Sequence, residues 1–366
     1  ADHEEVGLGR VGSLTGSAFS NTSSRPSSAE LWHLGPVQHY RAQETYFDCD
    51  FYIYGHKYQK DEKEMLPAGK HSFPFGFKLP PNLPPSFNSE KGFITYQAIA
   101  ILDRPAAANI VTKAGFTLHT LMDLNMDTNT SSSASASQSK NLCCFCCATG
   151  PITLCVRIPR RGYVPGEKII VSAEADNVSS RNTRRTRLLL LQVITFFMPN
   201  GVKEITEERI LQEVVRGITP PGETDFWENV ALDVPPLVTP NVHIACRLMA
   251  VHYRLDMILE LPRPLSDLRV SLPIIIGSVP LRSTFSSFLP PSETTKSEGL
   301  PGIDYNNVPS YEFSECFFGR ETLEGQSERV IGFTENYGPQ YNPSHIFAPL
   351  YITYTVGNNV EESKDS

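Results

Sequence analysis

The chain contains one long segment twice, and this duplication restricts its possible folds more than any other feature of the sequence. Residues 94–105 (ITYQAIAILDRP) parallel residues 251–262 (VHYRLDMILELP). The matched pairs are Tyr96 and Tyr253, Leu102 and Leu259, Asp103 and Glu260, and Pro105 and Pro262. Because a period this long is not that of a solenoid, the duplication predicts two β-sandwiches of one design.

Short apolar runs bounded by turns fill much of the remaining sequence and favour an all-β fold. Phe73, Phe75 and Phe77 recur at a period of two, which is typical of a strand with one buried face. Residues 46–54 and 188–197 are dense in aromatic or aliphatic side chains and predict further strands. The 29 prolines and 24 glycines suit strands and turns, and a hydrophobic content of 40% suffices for a core and excludes global disorder.

Changes of composition along the chain predict five consecutive regions. The start is rich in Ser, Gly and Thr, an internal Ser-rich run lacks apolar anchors, and the end is rich in Pro, Ser, Glu and Asn. Polar segments of this kind do not bury enough apolar surface to fold. The regions are a disordered leader (1–30), a first sandwich (31–127), a linker (128–142), a second sandwich (143–280) and a flexible tail (281–366).

Charge and cysteine content restrict the partners and the compartment. The chain carries 32 Lys and Arg against 40 Asp and Glu, a net charge of −8, which argues against binding to nucleic acid by bulk charge. The longest apolar stretch, residues 188–198, is too short to cross a bilayer. Eight cysteines in a chain of this length do not make a disulfide scaffold, and without a basic and apolar signal sequence we expect the cytoplasm.

No sequence motif predicts catalysis, a cofactor or a metal. Residues 7–12 (GLGRVG) spell the dinucleotide fingerprint, but neither a strand before them nor a helix after them is predicted. The histidines are scattered, and no nucleophile, base and orienting group share one signature. We therefore expect no catalytic, cofactor-binding or metal-binding residues.

Four cysteines crowd together at Cys143, Cys144, Cys146 and Cys147. Their C-x-x-C spacing is that of zinc and redox sites, but neighbouring thiols on an extended chain point to opposite faces, and no second pair lies at zinc-finger spacing. We favour small buried residues at the start of a strand, with S-acylation and a metal site as alternatives.

Four segments together resemble the arrestin-domain-containing proteins, or α-arrestins. They are residues 66–75 (LPAGKHSFPF), 143–151 (CCFCCATGP), 162–167 (GYVPGE) and 272–277 (LPIIIG). The resemblance runs from about Leu31 to Leu281 and covers both predicted domains in order. It implies two tandem arrestin-type, immunoglobulin-like β-sandwiches with a disordered C-terminal tail, acting as a trafficking adaptor on membrane cargo.

The start of the chain departs from the family pattern. α-Arrestins place strands before the aromatic strand that corresponds to residues 46–54, whereas a Ser- and Gly-rich leader precedes it here. This departure implies a truncated first sandwich with an exposed strand edge.

The tail contains two degenerate ligase motifs. Family members carry PPxY motifs there, which bind the WW domains of HECT-type ubiquitin ligases through a Pro pair in the polyproline II conformation and a Tyr. The nearest matches are Val308, Pro309, Ser310 and Tyr311, and Ala348, Pro349, Leu350 and Tyr351. Each lacks the first Pro ring, at a cost of roughly 1–2 kcal/mol, or about tenfold in affinity. Because two weak sites on one tail recover part of this loss, the resemblance implies weakened ligase recruitment.

Two further segments carry candidate binding residues. A basic concentration includes Arg181, Arg184, Arg185 and Arg187. Guanidinium groups bind phosphate through paired hydrogen bonds, so this patch suits phosphorylated cargo tails or anionic lipid heads; the alternative is a solvated loop. Tyr305 and Val308 (YNNV) match a tyrosine-based sorting signal, a pattern that also arises by chance.

The sequence leads to a non-enzymatic cytoplasmic adaptor that is recruited to the plasma membrane or endosomes. We expect receptors or transporters as cargo and WW-domain ubiquitin ligases as partners, with no nucleic acid. Two alternatives stay open. One is a redox or metabolic regulator of the thioredoxin-interacting type, in which a reactive Cys forms a mixed disulfide with thioredoxin. The other is a structural subunit of a sorting coat.

Overall fold

The computed structural model describes residues 13–23, 39–55, 66–89, 91–104, 107–144, 147–197, 204–290, 308–318 and 348–357 of the chain. These segments contain sixteen β-strands, two short α-helices and two 3-10 turns. The architecture is all-β, which confirms the predicted fold class.

The first domain is built on one antiparallel sheet. Its strands are β1 (Ser13–Ser23), β2 (His39–Asp50), β3 (Phe87–Asn88), β4 (Gly92–Leu102) and β5 (Ile110–Phe116). The order is β2-β1-β4-β3, and β5 pairs with β4 as well. The long β4 is therefore an interior strand.

An aromatic segment, residues 66–86, forms the layer opposite this sheet. The ring of Phe77 stacks on Phe47 of β2 with centroids 5.9 Å apart. Phe75 lies against Phe51 with centroids 5.6 Å apart. The segment thus supplies the apolar surface that the sheet needs in order to bury its inner face.

The predicted strand over residues 73–79 does not form. Phe73, Phe75 and Phe77 each contact an aromatic ring, with Phe75 57% exposed, but the backbone of these residues belongs to no β-ladder in the structure. Pro74 and Pro80 lack the amide hydrogen that a ladder requires, so the segment packs through its rings rather than by strand pairing.

The second domain is a sandwich of two sheets. Its strands are β6 (Ala134–Cys144), β7 (Cys147–Ile158), β8 (Gly162–Tyr163), β9 (Lys168–Asn177), β10 (Arg185–Phe197), β11 (Glu204–Arg216), β12 (Glu223–Asp233), β13 (Met249–Glu260) and β14 (Leu268–Ile276). One sheet has the order β11-β10-β13-β14-β8, and the other has the order β12-β9-β7-β6. Side chains such as Val171 of β9 and Leu190 of β10 are fully buried between them.

The short helical elements flank the sheets. The α-helices are α1 (Thr128–Ser131) and α2 (Val242–Ala245), and the 3-10 turns are Leu124–Met126 and Arg282–Ser287. Asp127 caps α1 by accepting a hydrogen bond from the Asn129 amide at 2.8 Å.

The matched tyrosines of the repeat hold equivalent places. Tyr96 lies on β4 and Tyr253 on β13, each an interior strand of its sheet. Both rings are buried, and both hydroxyls donate to a main-chain carbonyl upstream, Pro84 at 2.6 Å and Val238 at 2.7 Å. The duplication in the sequence is therefore a duplication of structure.

The predicted leader, 1–30, is wrong for residues 13–23. These residues form β1, which lies between β2 and β4 with Ser13 opposite both Asp50 and Ile99. The first sandwich was expected to lack strands before residues 46–54, but β1 is one such strand. The first sandwich therefore includes residues upstream of residue 31. Main-chain ladder bonds need no apolar pattern, which is why composition did not reveal this strand.

The predicted linker, 128–142, is also structured. It contains α1 and most of β6, which pairs antiparallel with β7. Ala134 and Leu142 are buried, while the serines between them alternate along an edge strand. Two apolar anchors near its ends suffice to attach this segment to the second sandwich.

The predicted tail, 281–366, packs on the body in its three described segments: residues 281–290, where Leu281 and Phe288 are buried, 308–318 and 348–357. β15 (Tyr311–Glu315) and β16 (Leu350–Tyr354) form an antiparallel pair. We call residues 308–318 and 348–357 the tail pair. The expectation that the tail does not pack is therefore wrong for these residues.

Candidate functional site

The tail pair lies where the two sandwiches meet, and this junction is the candidate functional site. On the second domain, the Tyr354 amide donates to the Pro165 carbonyl at 2.9 Å, and the Tyr354 hydroxyl donates to the Ser278 carbonyl at 2.7 Å. Gly166 has a φ of +95°, and a Cβ there would lie 1.9 Å from the Tyr354 carbonyl oxygen. The turn at Gly166 thus requires glycine both for its left-handed backbone and for the close approach of β16.

β16 also contacts the first domain. The Tyr351 hydroxyl donates to the Ser86 carbonyl at 2.9 Å, and the Leu350 amide donates to Thr117 Oγ1 at 3.1 Å. Burial raises the pKa of Tyr351 well above its usual value, so this hydroxyl remains a donor. One five-residue strand therefore bridges both sandwiches.

Residues following β15 bind a buried arginine at the same junction. The guanidinium carbon of Arg209 lies 3.5 Å from the centroid of the Phe318 ring. Its Nη1 is 3.4 Å from both the Asn88 carbonyl of the first domain and Gln192 Oε1 of the second. Burial lowers the pKa of Arg209. Because a desolvated cation over an aromatic face contributes about 2 kcal/mol, this contact ties the tail to both domains.

A small cavity lies beneath β16. Its volume is about 20 Å³, room for one water molecule, and its walls come from both domains and from Tyr351 and Ile352. The hydroxyls of Thr120 and Thr239 at this cavity have no hydrogen-bond partner among the residues that the structure describes. The cavity suits a structural water and is too small for an organic substrate.

The structure places both degenerate ligase motifs in the tail pair. In the first, Val308 and Pro309 are buried, and Ser310 and Tyr311 are half-buried. In the second, Pro349 and Tyr351 are buried, Ala348 is half-buried, and Leu350 is exposed. The two motifs are brought together by strand pairing, and their prolines and Tyr351 face the protein rather than solvent.

The sorting-signal candidate falls mostly outside the described residues. Tyr305 lies there, and its partner Val308 is only 4% exposed. The glycine fingerprint at residues 7–12 also lies outside the described residues.

The arginine patch stands at the start of β10 and is partly neutralised. Arg185 Nε lies 2.8 Å from Glu260, and Arg187 pairs with Glu260 at 3.6 Å and with Glu213. Arg181 and Arg184 are exposed in the preceding loop. Arg185 and Arg187 are therefore held by carboxylates of the neighbouring strands, whereas the side chains of Arg181 and Arg184 lie at the surface.

The crowded cysteines lie on the β6–β7 pair. Cys143 is opposite Ala148 and Cys144 opposite Cys147, whereas Cys146 is outside the described residues. Elsewhere, Cys246 is buried, and burial raises the pKa of its thiol. A raised pKa reduces the thiolate fraction on which cysteine reactivity depends.

Sequence reasoning missed the partners of the tail: Ser86, Pro165, Ser278 and Arg209. Three of them act through main-chain carbonyls, which every residue type supplies, and Arg209 is an isolated basic residue on a strand. One signal was available, because residues 350–354 (LYITY) place large apolar side chains in a run typical of a strand.

Within the described residues, no group of three or more His, Cys, Asp or Glu side chains could hold a metal ion. None of the helices in those residues is long and apolar enough to span a membrane.

Two family models match the chain. The model of the arrestin (or S-antigen) N-terminal domain matches residues 12–125, and that of the C-terminal domain matches residues 148–281. The first match includes β1, in agreement with the structure.

Several proteins are similar to this chain over much of its length. Arrestin domain-containing protein 17 of Caenorhabditis elegans is 34% identical over 326 residues, or 82% of this chain and 72% of that protein. Arrestin domain-containing protein 4 of Homo sapiens is 33% identical over 59% of this chain and 50% of that protein, so the chain spans about half the length of that relative. Thioredoxin-interacting protein of Pongo abelii is 26% identical over 81% of this chain and 77% of that protein.

Proposed function

Because the chain belongs to the α-arrestin family of arrestin-domain-containing proteins, we propose that it is a non-enzymatic adaptor that links membrane cargo to sorting or ubiquitylation machinery. The observation that carries this proposal is the junction itself. Two sandwiches hold an extended strand by main-chain and tyrosine hydrogen bonds around a cavity of only about 20 Å³. Such a surface suits peptide recognition by strand contacts rather than turnover of a small substrate.

We assign cargo contact to the loop that carries Arg181 and Arg184. Its two exposed guanidinium groups suit a phosphorylated cytoplasmic segment or an anionic lipid head, as charge-assisted bonds to phosphate are among the stronger polar contacts. The adaptor would then act in the cytoplasm, at the plasma membrane or endosomes, on receptors or transporters.

We assign ligase contact to the tail motifs that end in Tyr311 and Tyr351. Their missing first Pro ring makes each a weak ligand for a WW domain, and two such motifs on one tail recover part of the affinity through their effective concentration. Recruitment of a HECT-type ligase would therefore depend on both tyrosines.

Proximity labelling from the full chain in cells tests the adaptor proposal. We expect membrane proteins and WW-domain ligases among the labelled proteins, with the membrane proteins reduced by Arg181→Glu combined with Arg184→Glu. The control is Arg157→Glu, a charge reversal at an exposed arginine elsewhere in the same domain. Labelling that contains no membrane proteins above the level of a free tag would refute the adaptor function.

The redox alternative has weaker support. It follows from the similarity to a protein named for its interaction with thioredoxin. Cys246 is 2% exposed and burial raises the pKa of its thiol, which opposes attack on a disulfide by this residue. The candidates for a reactive thiol among the described residues are therefore the half-buried Cys49, Cys155 and Cys316. Thiol labelling of the folded protein decides this alternative, since a cysteine that reacts faster than an exposed free thiol would restore it.

A further inference from the structure

We propose that the junction between the sandwiches is a binding site for an extended strand with tyrosines three residues apart, and that the chain's own β16 fills this site. Through its pairing with β15, the bound strand also masks both ligase motifs. The masking rests on the proposed ligase recruitment, whereas the occupancy of the site does not.

The chemistry of the site defines its ligand. The body offers four acceptors: the carbonyls of Ser86, Pro165 and Ser278, and Thr117 Oγ1. β16 meets them with four donors, two amides and the hydroxyls of Tyr351 and Tyr354. A phenylalanine in place of either tyrosine would leave a buried carbonyl without its donor, so the site selects tyrosine.

Gly166 shows that the site is shaped for a backbone. The space next to this glycine is occupied by the main chain of Tyr354, at a distance that no side chain at position 166 would permit. Tyr351 and Tyr354 are 6% and 3% exposed, so their side chains are buried in the protein rather than resting on its surface. Both domains contribute acceptors, and the site is complete only when they are joined.

Masking follows from the geometry of the tail pair. A WW domain binds proline in the polyproline II conformation and a tyrosine in a second pocket. Here Pro309 and Pro349 are buried, and Tyr351 is opposite Ser314 in the β-ladder. A ligase therefore binds only the fraction of molecules in which the tail pair has opened, and its apparent affinity falls by that fraction.

Hydrogen exchange on the full chain tests the occupancy of the site. We choose Tyr354→Ala because it lies outside both motifs and removes a buried ring and a hydroxyl bond. We expect the amides of β16 to exchange about 100-fold faster in this variant. The matched control Thr355→Ala, at an exposed neighbour, should leave exchange unchanged.

The same data report on folding, because β10 and β13 amides should stay protected in the variant. If the β16 amides of the unaltered chain exchange as fast as those of a free peptide of residues 345–357, the site is not filled and the proposal is wrong.

A synthetic peptide of residues 345–357 tests the specificity of the site. We expect it to bind the Tyr354→Ala chain, in which the site is open, and not the unaltered chain. The peptide with Tyr351→Phe and Tyr354→Phe should bind at least tenfold more weakly because two buried carbonyls lose their donors. Equal affinity of the two peptides would contradict selection for tyrosine.

Titration with isolated WW domains of HECT-type ligases tests the masking. Peptides of residues 304–314 and 344–354 should bind more tightly than the full chain, and Tyr354→Ala should bring the full chain towards the affinity of the peptides. If the unaltered chain binds as tightly as the peptides, masking is wrong. If neither peptide binds, ligase recruitment fails, and the exchange experiment still decides whether β16 fills the junction.

Discussion

The two copies of the repeated segment occupy the same place in their sheets but face different layers. Tyr253 is buried in the core, where its hydroxyl contacts the Val238 carbonyl and the Gln192 side-chain amide. Tyr96 lies among aromatic rings, with Phe47, Phe116 and Tyr46 at centroid distances of 6.0, 5.9 and 6.4 Å. The layer opposite Tyr96 is the strandless segment 66–86, which packs through its rings.

The comparison shows which feature the duplication retains. Both copies keep an interior strand whose tyrosine anchors an upstream carbonyl, while the opposing layer changes from a sheet to an irregular aromatic segment. Tyr253 has an additional bond, because Gln192 Nε2 donates to its hydroxyl at 3.0 Å. We infer that β13 is held more firmly than β4, and the matched pairs of the repeat allow this to be tested.

The largest expected effect is at the leucine pair. Leu259 is fully buried and Leu102 is half-buried. Leu259→Ala should destabilise the second domain by about 2–5 kcal/mol, and Leu102→Ala should destabilise the first by about 1 kcal/mol, because the cavity left behind is smaller at a partly exposed site. Hydrogen exchange of the β13 and β4 amides measures each domain separately. Equal losses at the two sites would break the comparison.

The tyrosine pair should give an intermediate effect. Tyr253→Phe leaves both the Val238 carbonyl and the Gln192 amide without a buried partner, at a cost of about 2–3 kcal/mol. Tyr96→Phe leaves only the Pro84 carbonyl, at about 1–2 kcal/mol. Denaturant unfolding of each variant measures the difference, and a larger loss for Tyr96→Phe would reverse the inferred order.

The acidic pair should give the smallest effect, one that depends on pH. The hydrogen bond from Arg185 lowers the pKa of Glu260 below its usual value. Because this pKa is lower in the folded state, the ionised carboxylate stabilises the protein at pH values above the unfolded-state pKa of about 4.3. This stabilisation is lost as the pH falls through the folded-state pKa. Glu260→Gln should therefore lower the free energy of unfolding above about pH 5. It should also make the free energy of unfolding depend less on pH between about pH 5 and pH 3.

Asp103→Asn is the control for this measurement. Asp103 forms no ion pair with any residue that the structure describes. Thermal unfolding between pH 3 and 7 should thus show no change for Asp103→Asn, and an equal response of both variants would remove the distinction between the two strand ends.

Much of the body could be predicted because its strands carry a signature. Residues 94–105 and 251–262 alternate or run apolar, and their likeness predicted the repeat in which Tyr96 and Tyr253 correspond. The hydrophobic effect acts on apolar side chains, and their pattern can be read directly from the amino-acid sequence.

Strands β1 and β6 could not be predicted, because their polar sequences are held by main-chain ladder bonds, which leave no apolar pattern in the sequence. The junction has the same property. Its motif residues were identified from the sequence, but the acceptors that bury Tyr351 and Tyr354 are mostly carbonyls, which carry no residue identity.

The position of β1 has a consequence for synthesis of the protein. Its residues leave the ribosome before those of β4, yet Ser13 pairs with Ile99, so the edge of β1 that faces β4 stays unpaired until β4 is made. During that interval β1 can pair only with β2, and an unpaired edge of this kind invites association with other chains. The time taken to translate residues 51–91 therefore sets how long this edge of β1 stays unpaired.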